Sequence, residues 1–278
     1  MIIFLYTDKN CEYQAFSCIQ TLLPRLREND RIVYYTIGFD SVYEFNKVKK
    51  VRLAPIPSYP SFHFYKAELS LLTMDMFPDE QHFMFTDTDV LYSRRFNPAA
   101  IEHTHSYPLA SMGPHEYPFI YEVIDGNRIV YDESALMKYF GVPQRTMRYV
   151  WSCIYSFNRN CRDFFEEYTS MCKNEYLIPR KKVYFPFQDE TGFNVCLFKR
   201  NATQNLGYAF LNTHNPELVK KVETEVIKDQ RIGMNIDSLG ADWEYVYDST
   251  QIIMYHGFKD RKLAYQTMNY LLDVGGKA

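Results

Sequence analysis

The run QHFMFTDTDVLY, residues 81 to 92, ends an apolar segment with two aspartates, Asp87 and Asp89, one residue apart. If a strand continues through them, alternation sends both carboxylates to one side while Phe83, Met84 and Phe85 fill a core behind. Like charges held together repel, and burying one without a partner is costly. A divalent cation between them answers both problems, because hard cations take carboxylate oxygen as ligand. The other reading is a turn after a strand, where aspartate is a local hydrogen-bonding residue.

Further candidates lie elsewhere in the chain. His256, in MYHGFKD, follows an apolar strand-like run and precedes Gly257, which permits close backbone approach. Imidazole is a good third ligand for manganese, although a lone histidine is more often structural. Asp189 and Glu190 open a helix-like run in QDETGFN, with Asn194 one turn on. Fixed carboxylates there suit a sugar hydroxyl or an anomeric carbon, and equally suit the positive end of a helix macrodipole. Thr7, Asp8 and Tyr13 lie at and just after the end of the first apolar run. Lys66 lies beside the apolar stripe of a helix, where it is either solvated or aimed at phosphate.

The elements that must position these residues follow from periodicity. IIFLYT (2 to 7) and RIVYYTIGF (31 to 39) read as strands, and the segment from 15 to 30 between them reads as a helix. After a short strand around VRLAPI, residues Phe62, Tyr65, Leu69, Leu72 and Met76 mark one helix face, with Ser61 as N-cap and Pro78 as stop. The order is strand, helix, strand, strand, helix, strand. Asp87 and Asp89 then fall at the carboxyl end of the last strand, the edge where open α/β sheets bind ligands. In the second half, 108–113 and 149–157 read as strands, 159–176 as a helix and 190–201 as a short helix or strand. Residues 114–148, rich in Tyr, Pro, Gly and charge, are expected as loops and short helices over the site. The simplest division is one domain over 1–278, with a nucleotide-binding half at 1–100 and a donor-sugar and acceptor half at 101–278.

Composition sets the limits. With 278 residues, 46% hydrophobic and 23% charged, the chain can fill the core of a large α/β domain. A formal net charge of -3 gives no support to nucleic-acid binding by bulk electrostatics. Six cysteines without a C-x-x-C pair or zinc-type spacing favour free thiols and a cytoplasmic setting. The first ten residues read as a strand and not as a signal peptide, and no apolar run approaches the ~20 residues of a membrane span. Lys259, Arg261, Lys262 and Lys277 make the last segment mildly amphipathic, which leaves peripheral membrane contact open beside a solvated terminal helix. Oligomeric state is not readable.

In the same order, YTDKNCEYQAFSCIQTLL, a Lys-bearing helix, FTDTDVLY, FQDETGFNVCLF and IIMYHGFKD resemble segments of nucleotide-sugar glycosyltransferases of the GT-A fold. The resemblance is closest to the glycogenin-like and lipopolysaccharide galactosyl- or glucosyltransferase group. It implies a mixed, mainly parallel α/β sheet flanked by helices. It implies manganese or magnesium held by Asp87, Asp89 and His256, with a UDP-sugar donor contacted by Thr7, Asp8, Tyr13, Lys66, Asp87, Thr88, Asn194 and Lys259. Tyr13 would stack on uracil, and Asp189 and Glu190 would act at the donor sugar as the catalytic carboxylates. The reaction implied is transfer of a hexose to a hydroxyl of a glycan or other acceptor, with retention. This chain departs from the group where Gly257 follows His256 directly and Phe193 replaces a leucine. Two readings of other classes are a haloacid-dehalogenase-like phosphohydrolase, which also uses an apolar strand and D-x-D, and a non-catalytic nucleotide-sugar or glycan-binding protein.

Overall fold

The computed structural model describes residues 1–56, 62–92, 96–103, 109–114, 120–124, 127–130, 138, 140–142, 150–174, 189–200, 204–205, 209–212, 253–256 and 268. In chain order the elements are β1 (Ile2–Thr7), α1 (Glu12–Leu22), β2 (Arg31–Ile37), β3 (Val48–Leu53), α2 (Tyr65–Met76), β4 (His82–Thr86), β5 (Leu91–Tyr92) and α3 (Pro98–His103). There follow β6 (Leu109–Pro114), β7 (Ile120–Ile124), β8 (Asn127–Val130), β9 (Val150–Asn158), α4 (Arg162–Asn174), α5 (Asp189–Arg200), β10 (Gln204–Asn205), β11 (Ala209–Asn212) and β12 (Ile253–His256). Strand pairing is mixed and mostly parallel, with helices between the strands, which makes this an α/β fold. The chain forms two compact units, each discontinuous in sequence.

The first unit comprises Met1–Pro55, Thr86–His103 and Leu206–Ala278. Its strands β1, β2 and β3 run parallel in that order, from Ile2 opposite Arg31 to Thr7 opposite Thr36, and from Ile32 opposite Val48 to Ile37 opposite Leu53. All six residues of β1 and six of the seven in β2 are buried, as expected of parallel strands covered on both faces. β3 instead exposes Lys49, Lys50 and Arg52, and charge of this kind on a strand discourages stray edge pairing. Gly38 ends β2 at φ 81°, and its N–H donates to the Leu53 carbonyl at 2.9 Å. A β-carbon there would stand 3.0 Å from the Pro55 ring, so both conformation and space call for glycine. α1 buries Ala15, Cys18, Ile19 and Leu22. A second sheet pairs β11 parallel with β12, and β12 antiparallel with β5.

The second unit comprises Ile56–Phe85 and Thr104–Asn205, with strand order β10-β6-β9-β4. β10 is parallel to β6, and β6 is antiparallel to β9 with register shifts around Met112. α4 packs against both α2 and α5. The core is aromatic: Phe83 stacks on Phe157 at 5.4 Å between centroids, Phe85 on Tyr155 at 5.0 Å, and Phe193 meets Tyr155 at 5.0 Å and Phe164 edge-on at 5.4 Å. Such pairs add to burial through their quadrupoles. Salt bridges Lys173–Glu68, Arg162–Asp75 and Lys199–Glu167 link the helices at the surface, where each contributes little.

Two sequence expectations change, and one left open between helix and strand is settled. The stretch 114–148 is not only loops and short helices, because Ile120–Ile124 and Asn127–Val130 form an antiparallel hairpin. The intervening Asp125-Gly126 is a hairpin signal of known mechanism. Within the segment 190–201, residues 190–200 lie in helix α5. Asp87 and Asp89 do not alternate along a strand: β4 ends at Thr86 and the chain turns through 87–90, the conformation that aspartate favours. The Ser61 cap lies outside the described residues. α2 is preceded by a 3-10 turn, Phe62–Phe64, and no side chain caps it.

Candidate functional site

In the first unit, the D-x-D turn follows directly on buried Thr86, and Asp87, Thr88 and Asp89 are each half-buried. The Asp87 carbonyl accepts hydrogen bonds from Thr86 Oγ1 at 3.1 Å and from the Cys18 thiol at 3.8 Å. Antiparallel pairing sets Tyr255 opposite Leu91 and Met254 opposite Tyr92. His256 follows Tyr255 directly in β12, and Leu91, opposite Tyr255, lies two residues after Asp89. The side chain of His256 and all of Lys259 lie outside the described residues. Among the described residues no three His, Cys, Asp or Glu side chains are grouped to hold a metal.

The field at this edge is negative. Cys11 is half-buried at the start of α1, and its thiol is pushed above the usual range by burial, then by the charges of Asp8 and Asp89. Buried Cys18 is also pushed up, chiefly by burial, with Asp89 and Asp87 adding to the effect. Carboxylate oxygens of this kind are the ligands that hard divalent cations such as Mn2+ or Mg2+ take. Thr7 is buried, and its hydroxyl donates to the Asp8 carbonyl at 3.1 Å. Asp8 Oδ1 accepts from the N–H groups of Asn10 at 2.9 Å and Cys11 at 3.0 Å, shaping the turn into α1. Tyr13 is half-buried in the first turn of α1, and its carbonyl accepts from Ser17 Oγ at 3.0 Å.

In the second unit, Lys66 and Asp189 form a buried ion pair, with Nζ 3.0 Å from Oδ2 and both side chains about 95% removed from solvent. Ser152, on β9, completes the group: its hydroxyl donates to Asp189 Oδ2 at 3.1 Å and lies 3.5 Å from Lys66 Nζ. The Ser152 N–H donates to Glu190 Oε2 at 3.3 Å. Tyr168 Oη donates to the Asp189 carbonyl at 2.9 Å, and Asn194 Nδ2 donates to the Glu190 carbonyl at 2.9 Å. Lys66 Nζ also stands 5.3 Å from the centre of the Phe85 ring. So Asp189 and Asn194 are buried and internally engaged, whereas Glu190 is only half-buried. The sequence reading missed Ser152. Its one signal was a small polar residue in an apolar strand, directly after Trp151, which carries no ligand meaning by itself.

Matched against protein-family models and curated proteins, the chain finds no counterpart in either.

Proposed function

We propose that this chain is a GT-A-like, metal-dependent glycosyltransferase that moves a hexose from a UDP-sugar to a hydroxyl of a glycan-type acceptor, with retention. The observation that carries the reading is the β5–β12 register, which pairs the strand ending at His256 with Leu91–Tyr92, the two residues that follow closely on the Asp87–Asp89 turn. Two carboxylates and an imidazole are a donor set for manganese or magnesium, and such a cation, when bound, offsets the charge of a diphosphate leaving group. Asp87, Asp89 and His256 would hold the cation. Tyr13 would meet the base, with Thr7, Asp8, Thr88 and Lys259 as further nucleotide contacts.

The Lys66–Asp189–Ser152 group supports a fixed donor-sugar pocket. Each of its members satisfies another, so Asp189 and Lys66 hold their orientation without ligand and would brace the neighbouring Glu190. Glu190, less buried on the same helix turn, would be the carboxylate that acts near an anomeric carbon, with Asn194 bonded to its carbonyl. A retaining reaction keeps the leaving diphosphate on the face of attack, and its oxygen accepts the acceptor proton.

Calorimetry of UDP with and without Mn2+ tests the proposal. Binding is expected to require the metal and to vanish in Asp89→Ala, and metal-independent UDP binding contradicts it. Slow Mn2+-dependent hydrolysis across a panel of UDP-sugars identifies the donor. Turnover of a generic phosphoester without such hydrolysis points instead to a phosphohydrolase.

A further inference from the structure

Helix α1 carries two buried side chains to which the proposed chemistry gives no role. Cys18, fully buried, directs its thiol to the Asp87 carbonyl at 3.8 Å. Thr21, three residues on and also fully buried, accepts the backbone N–H of Tyr92 at 3.0 Å. Its own hydroxyl proton is shared between the carbonyls of Ser17 at 3.1 Å and Cys18 at 2.9 Å. Residues three apart share a helix face. One face of α1 therefore grips the segment around the D-x-D turn at both ends, at Asp87 before it and at Tyr92 after it.

Tyr92 is also the residue that pairs with Met254 in the β5–β12 ladder, with Leu91 opposite Tyr255. The amide held by Thr21 thus lies in the short segment that carries the aspartates on one side and fixes the register of the His256 strand on the other. A threonine hydroxyl bonded back to its own helix gains nothing for helix stability, and a β-branched residue is a mediocre helix former. Valine would fill the same space but would remove the hydroxyl to which the buried Tyr92 amide donates.

We propose that Thr21, assisted by Cys18, is a positioning residue that sets the relative placement of Asp87, Asp89 and His256 for a divalent cation. The proposal rests on the reading that these three bind the cation. Thr21 touches no reacting atom. It acts through the Tyr92 amide, as partners outside the ligand set do when they orient metal ligands.

The test is a Mn2+ titration in the presence of UDP, followed by calorimetry, on the full chain and on Thr21→Val, Thr21→Ser and Cys18→Ala, at a temperature where circular dichroism shows each folded. Thr21→Val is expected to weaken Mn2+ about tenfold, the order seen when outer partners of metal ligands are lost. Thr21→Ser, which keeps the hydroxyl, is expected to restore affinity to within about threefold of the unaltered chain. A purely structural role would lower the melting temperature of Thr21→Val and leave its Mn2+ affinity unchanged, and that result overturns the proposal while sparing the metal reading. No Mn2+ binding by the unaltered chain overturns both. If Thr21→Val does not fold, Cys18→Ala decides: weaker Mn2+ binding supports the proposal, and unchanged binding overturns it.

Discussion

Lys66 on α2 and Asp189 at the first turn of α5 meet at 3.0 Å in the interior of the second unit, with Ser152 of β9 hydrogen-bonded to the same carboxylate oxygen. A buried ion pair of this kind is not by itself a strong source of stability, since desolvation offsets much of the attraction. Breaking it is another matter, because the charge that remains is stranded.

Asp189→Asn is therefore expected to destabilise the chain by about 3 kcal/mol, and Lys66→Met combined with Asp189→Leu by far less, because the double change removes both charges. Urea unfolding of the two variants and the unaltered chain measures this. A single-variant loss below ~0.5 kcal/mol would show that the pair is not buried together in solution.

Glu190→Gln keeps an oxygen able to accept the Ser152 N–H, the contact seen at 3.3 Å, and so preserves the local fold. If the carboxylate acts at the sugar, turnover falls by about 100-fold while UDP affinity stays within twofold. Steady-state rates and UDP calorimetry separate the two. Equal losses in both would place Glu190 at the nucleotide. The anomeric coupling of the product, read by proton NMR, checks retention independently: a β-linked product from an α-linked donor means inversion.

Cys11 is the one cysteine of the six that is not buried. Its thiol is raised first by burial and then by the carboxylates of Asp8 and Asp89. Asp89→Asn removes one of those charges, so the thiol pKa falls and the thiolate fraction at pH 8.5 rises. Faster iodoacetamide labelling of Cys11 in the variant, followed by peptide mass spectrometry, is the expected outcome. An unchanged rate would place Asp89 too far away to act on it.

Asp30 gives the chain a defined acid sensitivity. Burial pushes its carboxyl up, but the hydrogen bonds from the Arg27 guanidinium and backbone N–H outweigh that and hold it below the ordinary aspartate value. The Arg27 contacts measure 2.7 to 3.0 Å. A depressed folded-state pKa means that the unfolded chain binds the proton first as pH falls. The contribution is complete above about pH 4 and is lost on descent through the lower folded value. Asp30→Asn should flatten this part of the stability profile between pH 5 and pH 3, as followed by urea midpoints. A profile that keeps its slope would assign the acid sensitivity to other groups.

Much of the first half was legible because its signals are local. The largely apolar, β-rich runs at 2–7 and 31–37 marked strands, and a stripe at spacings of three and four marked α2 as a helix. The D-x-D pair announced itself by chemistry, since two carboxylates after Phe83–Phe85 demand either a turn or a cation. The structure shows the turn, and the same turn presents the pair at a negative edge. What the sequence could not state were partnerships between residues far apart in the chain. Lys66 with Asp189, Ser152 with Glu190, Thr21 with the Tyr92 amide and β12 against β5 each depend on which elements pack together. Periodicity indicated the type of an element but not always its buried set: on α2, Lys66, Ser70 and Thr73 are buried while Leu72 and Met76 are only half-buried. Which polar group is buried opposite is settled only when the tertiary structure excludes water and leaves each donor one acceptor within reach.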